Sequence, residues 1–166
     1  DCALPIECKQ TISQPYTVAF MCQEARLRGS DTVLEIGTGS GFTAAVMSHM
    51  AQRVTTAERF KNLCENARSR MEALRITNVA IRHADASNGL NGEGPFDRIV
   101  VWAAFDALPR AFVDQLATGG VMICPIGPAE GEQVLAKLSK AGSRFEREDL
   151  MNVRFQPLGN ALAAAL

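Results

Sequence analysis

The sequence has no surplus of positive charge: 17 Lys and Arg stand against 18 Asp and Glu, for a formal net charge of -1. A protein that tracks a polyanion neutralises many phosphates and usually carries a basic excess or stripe, so no nucleic-acid partner is expected. Histidine is scarce, with only His49 and His83. The five cysteines, Cys2, Cys8, Cys22, Cys64 and Cys124, are odd in number and never spaced as C-x-x-C. Neither a zinc site nor a disulfide framework follows from such a set, so free thiols and no metal are expected. No apolar run approaches the ~18 residues of a membrane span, and no charged-then-apolar leader opens the chain. No membrane partner is expected, and the cytoplasm is the expected location.

What is present suits a packed fold. A chain of 166 residues that is 47% hydrophobic buries roughly 70% of the surface its unfolded form exposes. Gln14 to Leu27 carries apolar residues at helical intervals, with Ser13 before and Gly29 after. Val33 to Ile36 reads as a strand running into Gly37-Thr38-Gly39-Ser40-Gly41, and Phe42 to Met50 as the helix that follows. The alternation continues with a strand at Arg53 to Ala57, a helix at Lys61 to Leu74 and a strand at Val79 to His83. Phe96 to Trp102 is a fourth strand, Pro109 to Ala117 a helix stopped by Gly119-Gly120, and Val121 to Pro125 a fifth strand. Gln133 to Ser139 and Phe145 to Phe155, joined by a turn at Ala141-Gly142-Ser143, form a hairpin.

This order predicts the α/β class: a doubly wound, mostly parallel seven-stranded sheet with helices on both faces and an antiparallel C-terminal strand pair. A ligand would sit at the carboxyl ends of the parallel strands. Residues 1–166 read as one domain, divided into an opening segment and helix at 1–29, a ligand-binding core at 30–127, and a hairpin and tail at 128–166. Asn160 to Leu166, mostly alanine and leucine, read as a frayed end.

The glycines at 37, 39 and 41 stand where a strand turns sharply into a helix while its backbone passes close to a ligand. A dinucleotide fingerprint would want the third glycine where Phe42 stands, which weakens a nicotinamide reading, and a plain tight turn is the competing explanation. Glu58, closing the second strand, can accept both hydroxyls of a ribose; its rival role is to open the next helix. Asp85, just beyond the third strand, can accept from an adenine amino group, with helix capping as its rival. Three such positions on consecutive strands describe an adenosine pocket. Glu35, inside the first strand, either points inward toward the loop amides and the ligand or stays solvated at the strand end, and the inward reading is preferred. His83 reads as structural, His49 as helix-terminal, and Trp102 as lining or core.

Ala3-Leu4-Pro5-Ile6, followed by Gln10-Thr11-Ile12-Ser13-Gln14-Pro15-Tyr16, resembles the signature segment of the protein-L-isoaspartate O-methyltransferases. The likeness continues through Leu34-Glu35-Ile36-Gly37-Thr38-Gly39-Ser40-Gly41, Pro95-Phe96-Asp97, Gly119-Gly120, Pro125-Ile126-Gly127 and Val153-Arg154-Phe155-Gln156-Pro157-Leu158, nearly the whole chain. The resemblance implies a Rossmann-like class I methyltransferase. It implies transfer of a methyl group from S-adenosylmethionine to the free carboxylate of L-isoaspartyl or D-aspartyl residues in damaged proteins, leaving S-adenosylhomocysteine. The ester then collapses to a succinimide whose hydrolysis restores part of the population to aspartate.

By the same resemblance Ser13 is the active-site residue, with Thr11 and Ile12 beside the cofactor. Glu35, Gly37, Thr38, Gly39, Ser40, Glu58, Arg59, Asp85 and Ala86 complete the cofactor set, while Ile12, Ser13, Val153 and Arg154 face the substrate. A carboxylate with a pKa near ~3.9 is already ionised at neutral pH, so the transfer needs alignment more than a strong base. Ser13 could orient the acceptor; it could equally cap the helix that follows. Glu7, Lys9 and Ala86 replace glycines of the family pattern, and Val101-Trp102-Ala103-Ala104-Phe105-Asp106 replaces a smaller stretch. The chain opens just before Ala3-Leu4-Pro5-Ile6, so the family's amino-terminal helical region is expected to lie outside it. A monomer is expected. The alternatives are a class I methyltransferase with a small-molecule or other protein acceptor, and a non-catalytic cofactor-binding module of the same fold.

Overall fold

The computed structural model describes residues 1–163. The chain opens with two short antiparallel strands, β1 (Leu4–Pro5) and β2 (Thr11–Ile12), joined by a single 3-10 turn at Glu7–Lys9. Cys8 and Lys9 adopt φ of 58° and 55° there. A glycine at position 9 would take that left-handed conformation without the Cβ clash that lysine carries.

Helix α1 (Pro15–Ala25) then leads to β3 (Thr32–Ile36), α2 (Phe42–Ser48), β4 (Arg53–Glu58), α3 (Lys61–Ala73) and β5 (Val79–His83). The remainder is β6 (Phe96–Val101), the short helix α4 (Phe112–Gln115), β7 (Leu116–Ile126), β8 (Gln133–Ala141) and β9 (Arg144–Val153). The strands form one seven-stranded sheet in the order β5-β4-β3-β6-β7-β8-β9, parallel from β5 to β7 and antiparallel from β7 to β9. Strand order reverses between β3 and β6, which opens a crevice beyond their carboxyl ends.

Alternate residues of each strand face opposite layers. Val33, Val54, Val100 and Ile123 pack against Met21 and Ala25 of α1, Met47 of α2, and Ala67 and Met71 of α3. Leu34, Ile36, Ile99 and Met122 face the other way, onto Phe112 of α4, Phe105 and Leu90. Helices thus cover both faces unequally: three on one, one short helix and loops on the other. Arg98 ties the first layer together, its Nε donating to the Ala25 carbonyl at 2.7 Å and lying 3.4 Å from the Asp31 carboxylate.

Two expectations are corrected. The helix read at Pro109 to Ala117 shrinks to Phe112–Gln115, and Gly119-Gly120 lies inside β7 instead of ending a helix. Leu116 is fully buried and pairs with Phe96; the register then jumps to Arg98 opposite Val121, so the intervening residues form a bulge with Gly119 at φ 73°. The tail is also placed as far as it is described. Ala163 bridges to Phe60, and the Ala161 amide donates to Asp85 at 2.7 Å, while Ala164 to Leu166 lie outside the described residues.

Candidate active site

The glycine loop is fixed from below by the strand beside it. The amides of Gly37 and Thr38 both donate to the Ala57 carbonyl, at 2.9 and 3.3 Å. Gly41 has φ 85°, and a Cβ there would lie 2.8 Å from the Met71 side chain, so only glycine lets α3 pack this close to the turn.

Glu58, at the end of β4, is 6% exposed. One of its oxygens accepts the Gly39 amide at 3.0 Å and the other the Phe60 amide at 3.1 Å. A carboxylate has about four lone-pair sites, so capacity remains for a ligand. It both meets the helix entry and borders the cleft. The cleft, about 400 Å³, runs along Gly37, Gly39, Glu58, Arg59, Asp85, Ala86 and Trp102.

Asp85 is exposed, with one oxygen on the Ser87 amide at 2.9 Å and the other on the Ala161 amide. No helix follows it, so what it caps is a turn. Its partial burial would raise its pKa, but hydrogen bonds from Ser87 and Ala161, with the Arg59 charge, hold it below the ordinary carboxylate range. Arg59 lies 5.3 Å over the Phe60 ring, and its buried Nε has no hydrogen-bond partner among the described residues.

A second cleft of about 300 Å³ lies alongside, with Ser13, Thr17, Val153 and Arg154 on its walls. A gap of about 30 Å³ joins the neighbourhood of both, bordered by Thr11, Ile12 and Ser13 on one side and by Gly37, Thr38, Gly39 and Ser40 on the other. Ser13 does not cap α1: the N-cap is Gln14, one residue later, and Ser13 makes no side-chain hydrogen bond among the described residues. Its capping role is removed, and its hydroxyl stands at the gap.

Glu35 departs from expectation. Its carboxylate does point inward, but it meets none of the loop amides and lines neither cleft: it accepts from the Thr43 hydroxyl, from Thr56 at 2.5 Å and from the Trp102 indole at 2.8 Å. Burial pushes its pKa up to about 7 against the pull of those three donors, with Glu58 adding to the rise. The expectation that Glu35 faces the loop amides and the ligand is therefore corrected: it lines neither cleft. The reading of residues also missed Gln10 and Gln156, which stand with Thr11 and Trp102 between the two clefts. Gln10 was signalled by its place in the opening motif; Gln156, brought from the far end of the chain, carried no comparable signal.

Burial pushes Cys22 and Cys64 up to about 11 and Cys124 to about 12, which keeps these thiols protonated. Among the described residues no cluster of three acidic, histidine or cysteine ligands is found, and no helix is long and apolar enough to cross a membrane.

The family model described as protein-L-isoaspartate(D-aspartate) O-methyltransferase matches residues 1–163. A protein-L-isoaspartate O-methyltransferase of Azorhizobium caulinodans is 49% identical over 166 residues, all of this chain and 76% of that protein. One of Parvibaculum lavamentivorans is 47% identical over 165 residues, 98% of this chain and 74% of the relative. A crystal structure from Plasmodium falciparum, described as a protein-L-isoaspartate O-methyltransferase in complex with S-adenosyl-L-homocysteine, superposes with a TM-score of 0.84 at 27% identity, covering 96% of this chain and 80% of that one. Another structure of that name gives a TM-score of 0.88 at 30% identity over 98% of this chain and 54% of the other.

Proposed function

The chain belongs to the protein-L-isoaspartate(D-aspartate) O-methyltransferase family, and from that premise we propose how its residues divide the work. The enzyme methylates isoaspartyl residues of damaged proteins with S-adenosylmethionine as donor, the step that begins their repair. The residues fit that donor: the cleft carries a carboxylate with free lone pairs at Glu58, with the glycine turn beyond β3 on one side of it and Asp85 beyond β5 on the other. When bound, S-adenosylmethionine supplies an electrophilic methyl group on its sulfonium.

Glu58 accepts the ribose hydroxyls, Asp85 the adenine amino group, and the backbone of Gly37, Thr38, Gly39 and Ser40 surrounds the remainder with Arg59 and Ala86 beside it. Thr11 and Ile12 close the gap from the other side. Val153 and Arg154 present the isoaspartyl carboxylate to Ser13, the guanidinium offsetting its charge. That carboxylate is ionised without help, so Ser13 acts as an orienting donor and not as a nucleophile. Holding the acceptor oxygen in line and away from water supplies on the order of 7 to 11 kcal/mol. In this reading residues 1–29 serve the acceptor, 30–127 the donor, and the hairpin and tail from 128 complete both walls. The enzyme works in the cytoplasm as a monomer.

One observation carries the assignment: Ser13 borders the acceptor cleft and also the gap that faces the glycine loop. The test is to supply the purified protein with methyl-labelled S-adenosylmethionine and an isoaspartyl peptide, with the aspartyl peptide as control. Label in the isoaspartyl peptide alone is expected. Label only in other acceptors would point to a different substrate, and donor binding without transfer to a non-catalytic module.

A further inference from the structure

Glu35 is fully buried and borders neither cleft, yet three side chains from separate parts of the chain converge on it. Thr43 reaches it from α2 and Thr56 from β4, where Thr56 also meets the Thr38 hydroxyl of the glycine loop at 2.6 Å. The third donor is the indole N–H of Trp102, at 2.8 Å. The backbone of Trp102 is fixed as well, its amide donating to the Ile36 carbonyl at 2.9 Å. Its Cβ stands 3.4 Å from where a Cβ on Gly37 would lie, so the residue packs directly against the turn.

Trp102 and Thr11 are the two residues that border the donor cleft, the acceptor cleft and the gap together. Trp102 thus stands where the two clefts and the gap beside Ser13 meet. A buried carboxylate is costly to keep, and a hydrogen bond to a charged acceptor is stronger and more directional than one to a neutral group. Two threonines also donate to the acid and hold it in place, which leaves the indole N–H a rigid acceptor.

We propose that Glu35 is a positioning residue that acts through Trp102, setting the indole as the partition that aligns the acceptor carboxylate with the donor methyl. This rests on the functional reading above and extends it. Glu35 touches no substrate, so its contribution passes through the ring, and kcat falls on its replacement while donor affinity stays.

The test is a double-mutant cycle at pH 8, where most of Glu35 is charged, with wild type, Glu35→Gln, Trp102→Phe and the double variant of the full chain. Turnover is measured on an isoaspartyl peptide, and S-adenosylhomocysteine affinity by calorimetry. Glu35→Gln is expected to lower kcat about tenfold with the Kd for S-adenosylhomocysteine within about twofold. Trp102→Phe lowers kcat similarly, and the double variant is no slower than Trp102→Phe by more than about twofold. Losses that multiply overturn the proposal, since Glu35 would then act by a route that bypasses the ring; so does an unchanged kcat in Glu35→Gln.

A second readout needs neither substrate. Trp102 is the chain's one tryptophan, so emission from the ligand-free protein reports the indole alone. Glu35→Gln is expected to shift its maximum, and an unshifted spectrum overturns the proposal. Should Glu35→Gln not fold, Trp102→Phe, which leaves the carboxylate in place, decides: a lowered kcat with retained Kd supports the partition, and an equal loss in both rejects it. A wild type that binds S-adenosylhomocysteine without methylating the peptide would sink the functional reading, and the emission comparison would still settle the coupling of Glu35 to the ring.

Discussion

The Gly39 amide donates to the Glu58 carboxylate at 3.0 Å, across the carboxyl ends of β3 and β4. The glycine turn and the acid proposed to accept the ribose are therefore one mechanical unit. Glu58→Ala removes that proposed acceptor and leaves the Gly39 and Phe60 amides without their partner. Charge-assisted bonds of this type contribute about 1.5 to 3 kcal/mol each, so affinity for S-adenosylhomocysteine should fall at least ~tenfold. Calorimetry checks this, and a Kd within about twofold of wild type would remove Glu58 from the site.

Ser13→Ala separates two roles that the sequence leaves entangled. Loss of a helix cap costs about 0.5 to 2 kcal/mol. Because Gln14 occupies the cap position, the urea midpoint of Ser13→Ala should match wild type while turnover falls ~tenfold or more. A lowered midpoint with unchanged turnover per folded molecule would return Ser13 to a structural role.

Glu35 makes stability depend on pH in an unusual direction. Its folded pKa of about 7 lies above the ordinary value of 4.5, so the folded state holds the proton more tightly than the unfolded chain. The associated stability is fully present below pH 4.5 and is lost as pH rises through about 7. Each pKa unit corresponds to about 1.4 kcal/mol, which puts the loss on the order of 3 kcal/mol. Urea unfolding at pH 5 and pH 8 should show a smaller difference for Glu35→Gln than for wild type. Equal pH dependence in the two proteins would show that another group is responsible.

Arg98 is 5% exposed and links β6 to the carboxyl end of α1 through the Ala25 carbonyl, with Asp31 buried beside it. Arg98→Met leaves Asp31 without its cation. Breaking a buried pair from one side typically costs about 3 to 5 kcal/mol, and chemical denaturation should register a loss of that order. A loss below ~1 kcal/mol would mean that water or a shifted Arg28 replaces the guanidinium.

Much of the fold was legible because each strand carries its own punctuation. Val79 to His83 was bounded as it stands, and β3, β4 and the hairpin differ by a residue or two, since short apolar runs between turn residues leave little freedom. The region after Asp106 was misread for a physical reason. Pro109, followed by apolar residues and a glycine pair, imitates a helix with its stop, but pairing of Leu116 with Phe96 is a contact between distant segments that local pattern does not encode.

The site divides in the same way. Glycines 37, 39 and 41, Glu58 and Asp85 announce themselves by their places at strand ends. The inward turn of Glu35 toward Trp102 depends on Thr43 and Thr56, two threonines with nothing distinctive in their spacing. The left-handed Lys9 shows the converse: the sequence marks the missing glycine, and only the backbone reveals that lysine took on its conformation.

At the far border of the sheet, β9 presents Arg144, Glu146, Arg147, Glu148 and Asp149 in close succession, all exposed, with Arg147 held to Asp149 at 2.6 Å. An unpaired border strand is a template for addition of another chain's backbone, and densely charged side chains are a common defence against it. Another copy sliding alongside would have to strip hydration from both signs of charge at once, so this rim resists the stacking that leads to fibres.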